Sequence, residues 1–312
     1  MNAPHVSIII PLLNEEENIT QLWKETVAIV EGMGIPFEII LADDGSTDST
    51  AERIHALVRG DPRVRGIHLR HNTRKAGALE AGFSIAQGDI IITMDGDLQD
   101  DPSGIPALFH AVAEGADVAV GWRKERQDSI GKIYPSYLIN LLANIVLRQR
   151  FHDMNSGFKA YKRTVIEHIP FHGSLFRFIP HLLHIEGFKV QEVPVHHRKR
   201  TAGTSKFSLE HRIRGMFDLC TVFFLTRYGN RPLHFFGMLG GILFVLGFIN
   251  FAYLMVIWWN GVGIGGRPLL LFSLISMVIG IQIASIGFIG ELLLYNIRMN
   301  PKNGKPAFTV LQ

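Results

Sequence analysis

Asp95 and Asp97 stand two residues apart at the end of an apolar run, residues 89–94 (DIIITM), and Gln99 follows two further on. In an extended chain, side chains at that spacing point to the same side, and Gln99 continues the alternation. The three offer hard oxygen donors, which suit Mg²⁺ or Mn²⁺ rather than zinc. An ion of that kind relies on ligand phosphates to complete its shell. It would neutralise a diphosphate as its bridging bond breaks. Asp43 and Asp44 follow a second apolar run, residues 37–42, and precede a helix start. They suit either helix capping or acceptance of an N–H from a nucleobase ring. Asn14 and Glu15 close a third run, residues 6–13.

Other chemistries are disfavoured by pattern. No G-x-G-x-x-G follows the first apolar run and no G-x-x-x-x-G-K-[ST] occurs, which argues against a dinucleotide-binding dehydrogenase and a P-loop NTPase. A single cysteine, Cys220, excludes a disulfide framework. Fourteen histidines include no H-E-x-x-H, so zinc is not expected. A net charge of +3 over 312 residues is too small a basic excess to argue for nucleic acid.

The elements that must position these residues alternate. The unbroken apolar run at 6–13 reads as a strand buried on both faces, and 37–42, 64–69, 89–94 and 117–121 read as four more strands. Helical patterns at 14–35, 46–58, 75–87 and 106–114 separate them. The expected fold is α/β, a doubly wound, mostly parallel sheet with helices on both faces. Ligands bind at the carboxyl ends of such strands, where all three polar clusters fall.

The C-terminal part differs in kind. Residues 233–259 hold no Asp, Glu, Lys or Arg, and residues 269–295 hold only Glu291. Each is long enough to cross a bilayer core. Arg212, Arg214, Arg227 and Arg231 precede the first run, and Arg298, Lys302 and Lys305 follow the second. The positive-inside rule then places the catalytic domain and both termini in the cytoplasm. Residues 1–207 are expected to form the catalytic domain, 208–231 a juxtamembrane interfacial region, and 232–312 a membrane domain. Residues 130–147 suit either the interface or the core. Trp258 and Trp259 close the first span as an aromatic belt, and Glu291 is expected at the interface.

The segments PLLNEEENI, LADDGSTDST, MDGDLQDDP, DMNSGFKAY and RKRTAGTSKF occur in this order and are followed by two apolar spans. Together they resemble family 2 glycosyltransferases with a GT-A-like fold, in the branch that glycosylates polyprenyl phosphates. The resemblance covers nearly the whole chain. It implies inverting, metal-dependent transfer of a sugar from a UDP- or GDP-linked donor, with UDP-glucose favoured, to undecaprenyl or dolichyl phosphate. It implies a multi-pass protein of a bacterial inner membrane, and self-association stays open. By motif match, Pro11, Leu13, Glu15, Asp43, Asp44 and Asp95 would hold the nucleotide. Asp95, Asp97 and Gln99 would hold Mg²⁺ or Mn²⁺, and Arg123 would lie near the donor phosphates. Ser156 and Lys159 would line the acceptor side, and Arg198, Arg200, Ser205 and Lys206 would meet phosphate. Asp153 is the family's usual general base. A phosphate acceptor is already ionised, however, so Asp153 could instead orient Lys159 or a basic neighbour, or hold the sugar. A processive polysaccharide synthase is the nearest rival, but no Q-x-x-R-W segment occurs. A non-catalytic nucleotide- or lipid-binding scaffold is another, against which Asp95, Asp97 and Gln99 are all present.

Overall fold

The structure is a computed structural model, and it describes residues 5–124, 141, 144, 151–153, 155–169, 175–199, 220–229 and 231–299. Arg200, Ser205, Lys206, residues 208–219 and most of 130–147 lie outside the described residues. The chain divides into two units, residues 1–222 and 223–312.

The first unit holds a seven-stranded sheet in the order β3-β2-β1-β4-β6-β5-β7. Its strands are β1 (Val6–Leu12), β2 (Phe37–Asp43), β3 (Val64–His68), β4 (Ile90–Thr93), β5 (Val118–Arg123), β6 (Lys159–Lys162) and β7 (Val190–Val195). β1 is central, and Ile8, Ile9 and Ile10 are completely buried, which is why its sequence is apolar without alternation. Pairings β1–β2, β2–β3, β1–β4 and β5–β7 are parallel. β6 runs antiparallel to both β4 and β5, so the sheet is mixed. The sequence reading missed β6, because KAYK is short and half lysine. Ala160 and Tyr161 are nevertheless buried. Register sets Lys159 of β6 opposite Thr93 and Val120, at the rim where the parallel strands end.

Both faces are covered. Helices α1 (Ile19–Gly32), α2 (Thr50–Gly60) and α4 (Ile105–Ala113) bury Ile19, Leu22, Ile54 and Leu108 against Ile8, Ile10 and Ile39. Helices α3 (Arg74–Ile85) and α5 (Ile179–Ile185) bury Leu79, Phe83 and Leu183 against Ile9, Ile40 and Ile91. The chain reverses direction across the sheet between β1 and β4, which creates a crevice at their carboxyl ends.

The second unit contains a helical hairpin, α6 (Pro232–Trp259) and α7 (Pro268–Met299). Each opens on proline, which suits a position whose N–H has no helical partner. The 28 residues of α6 span about 42 Å at 1.5 Å per residue, more than a bilayer core. Both helices are long and apolar enough to cross a membrane. Val256, Leu271, Phe288 and Trp259 are exposed, an outer surface that lipid would cover and water would not tolerate.

Glycine sets the approach of the two helices. A Cβ on Gly240 would lie 2.8 Å from the Ala284 nitrogen, and one on Gly247 would lie 2.7 Å from the Ser273 oxygen. On the facing helix, a Cβ on Gly280 would lie 2.7 Å from the Phe244 nitrogen. Bare backbone at these points allows close packing where no hydrophobic drive operates between helices. Glu291 accepts the Leu233 N–H at 3.4 Å, satisfying a first-turn donor of α6. Gly240→Val is expected to lower hairpin stability by about 1–3 kcal/mol through overpacking. A lower thermal midpoint in detergent is the result that checks it; an unchanged midpoint would contradict the close approach.

Candidate active site

Two loops at the rim are bonded into one frame. Asn14, in the left-handed region at φ 53, donates its N–H to Ser46 Oγ and accepts the Thr47 N–H. Glu15 N–H donates to Thr50 Oγ1, Glu16 N–H to Asp48, and Ser49 N–H to Glu16. These bonds hold residues 14–18 as a loop, so α1 starts at Ile19 and not at 14 as its pattern suggested. Pro11 and Leu13 sit half-buried where β1 ends. Glu15 accepts from the Asn18 side chain at 2.7 Å.

Asp43 and Asp44 are buried and turned into the protein. Asp43 accepts the Ser46 N–H at 3.0 Å and pairs with His68 Nδ1 at 2.7 Å. Asp44 Oδ1 accepts the Thr73 N–H and hydroxyl at 2.7 and 2.8 Å. Beside the capping and base-contact roles that the sequence left open, these bonds brace the rim: Asp44 fixes the loop that leads into α3.

β4 ends at Thr93, so strand alternation does not continue to Gln99. Residues 95–99 form a turn with Leu98 in the left-handed region at φ 59. Gly96 packs under the end of β1, where a Cβ would lie 3.1 Å from the Pro11 oxygen. Asp97 accepts the Gln99 N–H at 3.2 Å, and the Gln99 carbonyl accepts the Arg198 N–H at 2.8 Å. The extended alternation therefore does not reach Gln99, while Asp95, Asp97 and Gln99 are all half-exposed. Asp100 is buried and accepts the Asp95 N–H at 3.1 Å. Burial, and then the charge of Asp95, push the Asp100 carboxyl up to about 7.

Three cations close on these carboxylates. Lys75 Nζ pairs with Asp95 Oδ1. Arg123 grips Asp153 with two bonds, Nε to Oδ2 at 2.6 Å and Nη2 to Oδ1 at 2.9 Å, and both side chains are largely buried. Lys159 is 3% exposed. Burial, and then the charge of Lys75, push it down to about 7, against the opposite pull of Asp153 and Asp95. Burial works to raise the Asp95 carboxyl, but the nearby charges of Lys75, Arg123 and Lys159 hold it below the usual range. The sequence reading passed over Lys75. Its signal was position: a lysine in the first turn of α3 faces an unfavourable helix dipole and needs a local anion.

Asp153 is aimed by its own backbone. The N–H groups of His152 and Asp153 both donate to Glu192 of β7, at 2.7 and 3.0 Å. His152 stacks on Trp122, with ring centroids 4.3 Å apart. Two residues expected to meet ligand also make bonds within the protein. Ser156 is buried, and its hydroxyl accepts the Phe158 N–H at 3.3 Å, so it shapes a turn. Arg198 bonds Asp101 through Nε and Nη2, at 3.0 and 2.9 Å, and pairs with Glu25 of α1. Its guanidinium clamps three segments together.

Among the described residues, no three His, Cys, Asp or Glu side chains converge as a metal site. Two carboxylates on one turn fit Mg²⁺ or Mn²⁺ in the mode that takes its remaining oxygens from ligand phosphates. They do not fit a closed structural site.

Residues 7–170, just over half of the chain, match the family model described as glycosyl transferase family 2. The chain belongs to this family. It is 35% identical to the undecaprenyl-phosphate 4-deoxy-4-formamido-L-arabinose transferase of Salmonella paratyphi A, over 95% of this chain and 91% of that one. It is 33% identical to the dodecaprenyl-phosphate galacturonate synthase of Rhizobium johnstonii, over 92% and 87%. Among solved structures, glucosyl-3-phosphoglycerate synthase from Mycobacterium tuberculosis, in complex with Mn²⁺, UDP-glucose and phosphoglyceric acid, shares the fold. The TM-score is 0.55 at 22% identity, over 70% of this chain and 79% of that one.

In this family 2 glycosyltransferase the buried Lys159 cation is costly to the fold. Folding lowers its pKa from 10.5 to about 7, so across that interval the unfolded chain binds more protons and stability rises with pH. Lys159→Met is expected to remove this rise. It should also stabilise the protein by about 1–3 kcal/mol near neutral pH, and lower transfer by about 100-fold. Thermal unfolding at pH 6 and pH 9, beside initial rates, checks all three. A less stable Lys159→Met protein at pH 6 would contradict the reading.

Proposed function

We propose that this glycosyltransferase moves a sugar from a nucleoside-diphosphate sugar to a polyprenyl phosphate, with inversion at the anomeric carbon. A phosphate oxygen of the acceptor forms a bond to that carbon while the bond to the donor diphosphate breaks, and the nucleoside diphosphate leaves. The observation that carries the reading is Lys75, Arg123 and Lys159 gathered around Asp95 and Asp153 at the rim of the sheet. Two polyanions must meet there, and their repulsion is the main barrier to approach. The similarity to two polyprenyl-phosphate transferases supports the acceptor. The UDP-glucose in the related fold supports a UDP-sugar donor.

Within this reading, the loop frame around Asn14 and Glu15 offers the nucleoside a rigid edge, beside Pro11 and Leu13. Asp95 and Asp97 would hold Mg²⁺ or Mn²⁺, which supplies charge to the leaving diphosphate. Arg123 would supply positive charge to a phosphate group, with Asp153 holding its guanidinium in place through Nε and Nη2. The acceptor phosphate is largely ionised near neutral pH and needs no strong base. The hairpin α6–α7 would anchor the enzyme in a bacterial inner membrane, with the basic flanks and the catalytic unit on the cytoplasmic side. A polyprenyl chain stays in the bilayer, so its phosphate is presented at headgroup depth.

The test is a donor screen. Purified full-length protein is incubated with a short polyprenyl phosphate, Mg²⁺ and a panel of UDP- and GDP-sugars, and the lipid is read by mass spectrometry. A gain of one sugar mass from one donor is the expected result. No glycosylated lipid from any donor would reject the reading.

A further inference from the structure

The pair between Lys75 and Asp95 does little for stability. Lys75 is 29% exposed and Asp95 is 38% exposed, so water screens the attraction. Nothing in the helix favours the lysine either, since the first turn of α3 repels a cation. Yet the surroundings hold it at the carboxylate. Lys75 Nζ lies over the Phe176 ring, 5.6 Å from its centre. On the other side Gly157 leaves no room: a Cβ there would come within 2.7 Å of both Asp95 Cγ and Lys75 Nζ. The Gly157 carbonyl is itself fixed by the Thr93 hydroxyl at 2.8 Å. Thr73, at the entrance to α3, is tied down by Asp44. The ammonium therefore sits on one Asp95 oxygen and already matches the carboxylate charge that a divalent ion would draw on.

We propose that Lys75 is an internal competitor for the metal site, which must release Asp95 before Mg²⁺ or Mn²⁺ can bind. The metal alone then binds weakly, because it gains one carboxylate only by displacing a charge already matched to it. A metal arriving with a diphosphate binds well, because the added anion receives the displaced ammonium. Lys75 thus links metal entry to donor entry, and keeps the free enzyme from holding a bare ion at its rim. The inference rests on the metal reading of Asp95 and Asp97.

The experiment measures binding of Mn²⁺ alone, by loss of the free-ion electron paramagnetic resonance signal, to the full-length protein without nucleotide. Lys75→Gln is expected to bind Mn²⁺ about tenfold tighter than the unmodified protein. Lys75→Arg keeps the cation and is expected to bind as weakly as the unmodified protein, which separates charge from any change in packing. Unchanged or weaker Mn²⁺ binding in Lys75→Gln would overturn the inference, as would equal tightening in Lys75→Arg. If UDP and GDP promote Mn²⁺ uptake in the unmodified protein, the metal reading stands whichever way the variants fall. If none of the proteins takes up Mn²⁺ with or without nucleotide, the metal reading falls and the inference falls with it.

Discussion

Asp97→Ala is expected to lower sugar transfer by about 1000-fold or more while the fold survives. The leaving diphosphate develops charge in the transition state, and stabilisation there is usually the largest single catalytic effect. Asp97 is half-exposed on the turn that follows β4, where it accepts the Gln99 N–H at 3.2 Å. Losing that bond costs on the order of 1 kcal/mol, and a half-exposed turn position usually tolerates such a change. Asp95 is a poorer probe, because its removal also frees Lys75. Initial rates with and without EDTA, beside thermal unfolding, make the check. Transfer within about tenfold of normal, or transfer indifferent to EDTA, would remove the metal from the account.

The second large effect concerns Asp153. Its carboxylate is held by Arg123 through two bonds, with both groups largely buried. Breaking such a pair from one side leaves a buried charge uncompensated, so Asp153→Ala should cost about 3–5 kcal/mol of stability. Asp153→Asn keeps the shape and one acceptor oxygen, and isolates the catalytic question. If Asp153 works by aiming Arg123, then Asp153→Asn and Arg123→Gln lower transfer by similar factors, about 100-fold each. The double variant then loses little more than either single one, because both act through one unit. The acid limb of the rate profile is unchanged in Asp153→Asn. A general base predicts otherwise: Asp153→Asn would be far deeper than Arg123→Gln, and the acid limb would vanish. Steady-state rates for the four proteins across pH decide between them.

Much of this was legible in the chain. The apolar runs at β1, β2 and β4 announced strands buried on both faces, and the polar clusters after them marked the rim. The two long apolar runs announced the hairpin. What sequence could not show was which partner each polar side chain had already taken. Asp43 and Asp44 read as base contacts or helix caps, and their bracing bonds to His68 and Thr73 join parts of the chain too far apart in sequence to be read from it. Arg198 read as a phosphate ligand by motif match, and its bonds to Asp101 and Glu25 were not legible because those partners are far away in sequence, after β4 and on α1. Gln99 was assigned by alternation, and a left-handed residue at Leu98 ended the alternation. Lys75 was missed because its meaning depends on Asp95, twenty residues away and on another element.

The central claim is that an acceptor phosphate oxygen, brought into a cationic rim, attacks the anomeric carbon of a nucleotide-bound sugar. The most direct measurement is ³¹P nuclear magnetic resonance of the lipid after turnover by purified protein with Mg²⁺ and the donor chosen by the screen. The account predicts that the acceptor's monoester signal gives way to a diester signal coupled to one anomeric proton of inverted configuration. It also predicts that this conversion fails in Asp97→Ala. A monoester signal that persists while free sugar and nucleoside diphosphate accumulate would contradict it.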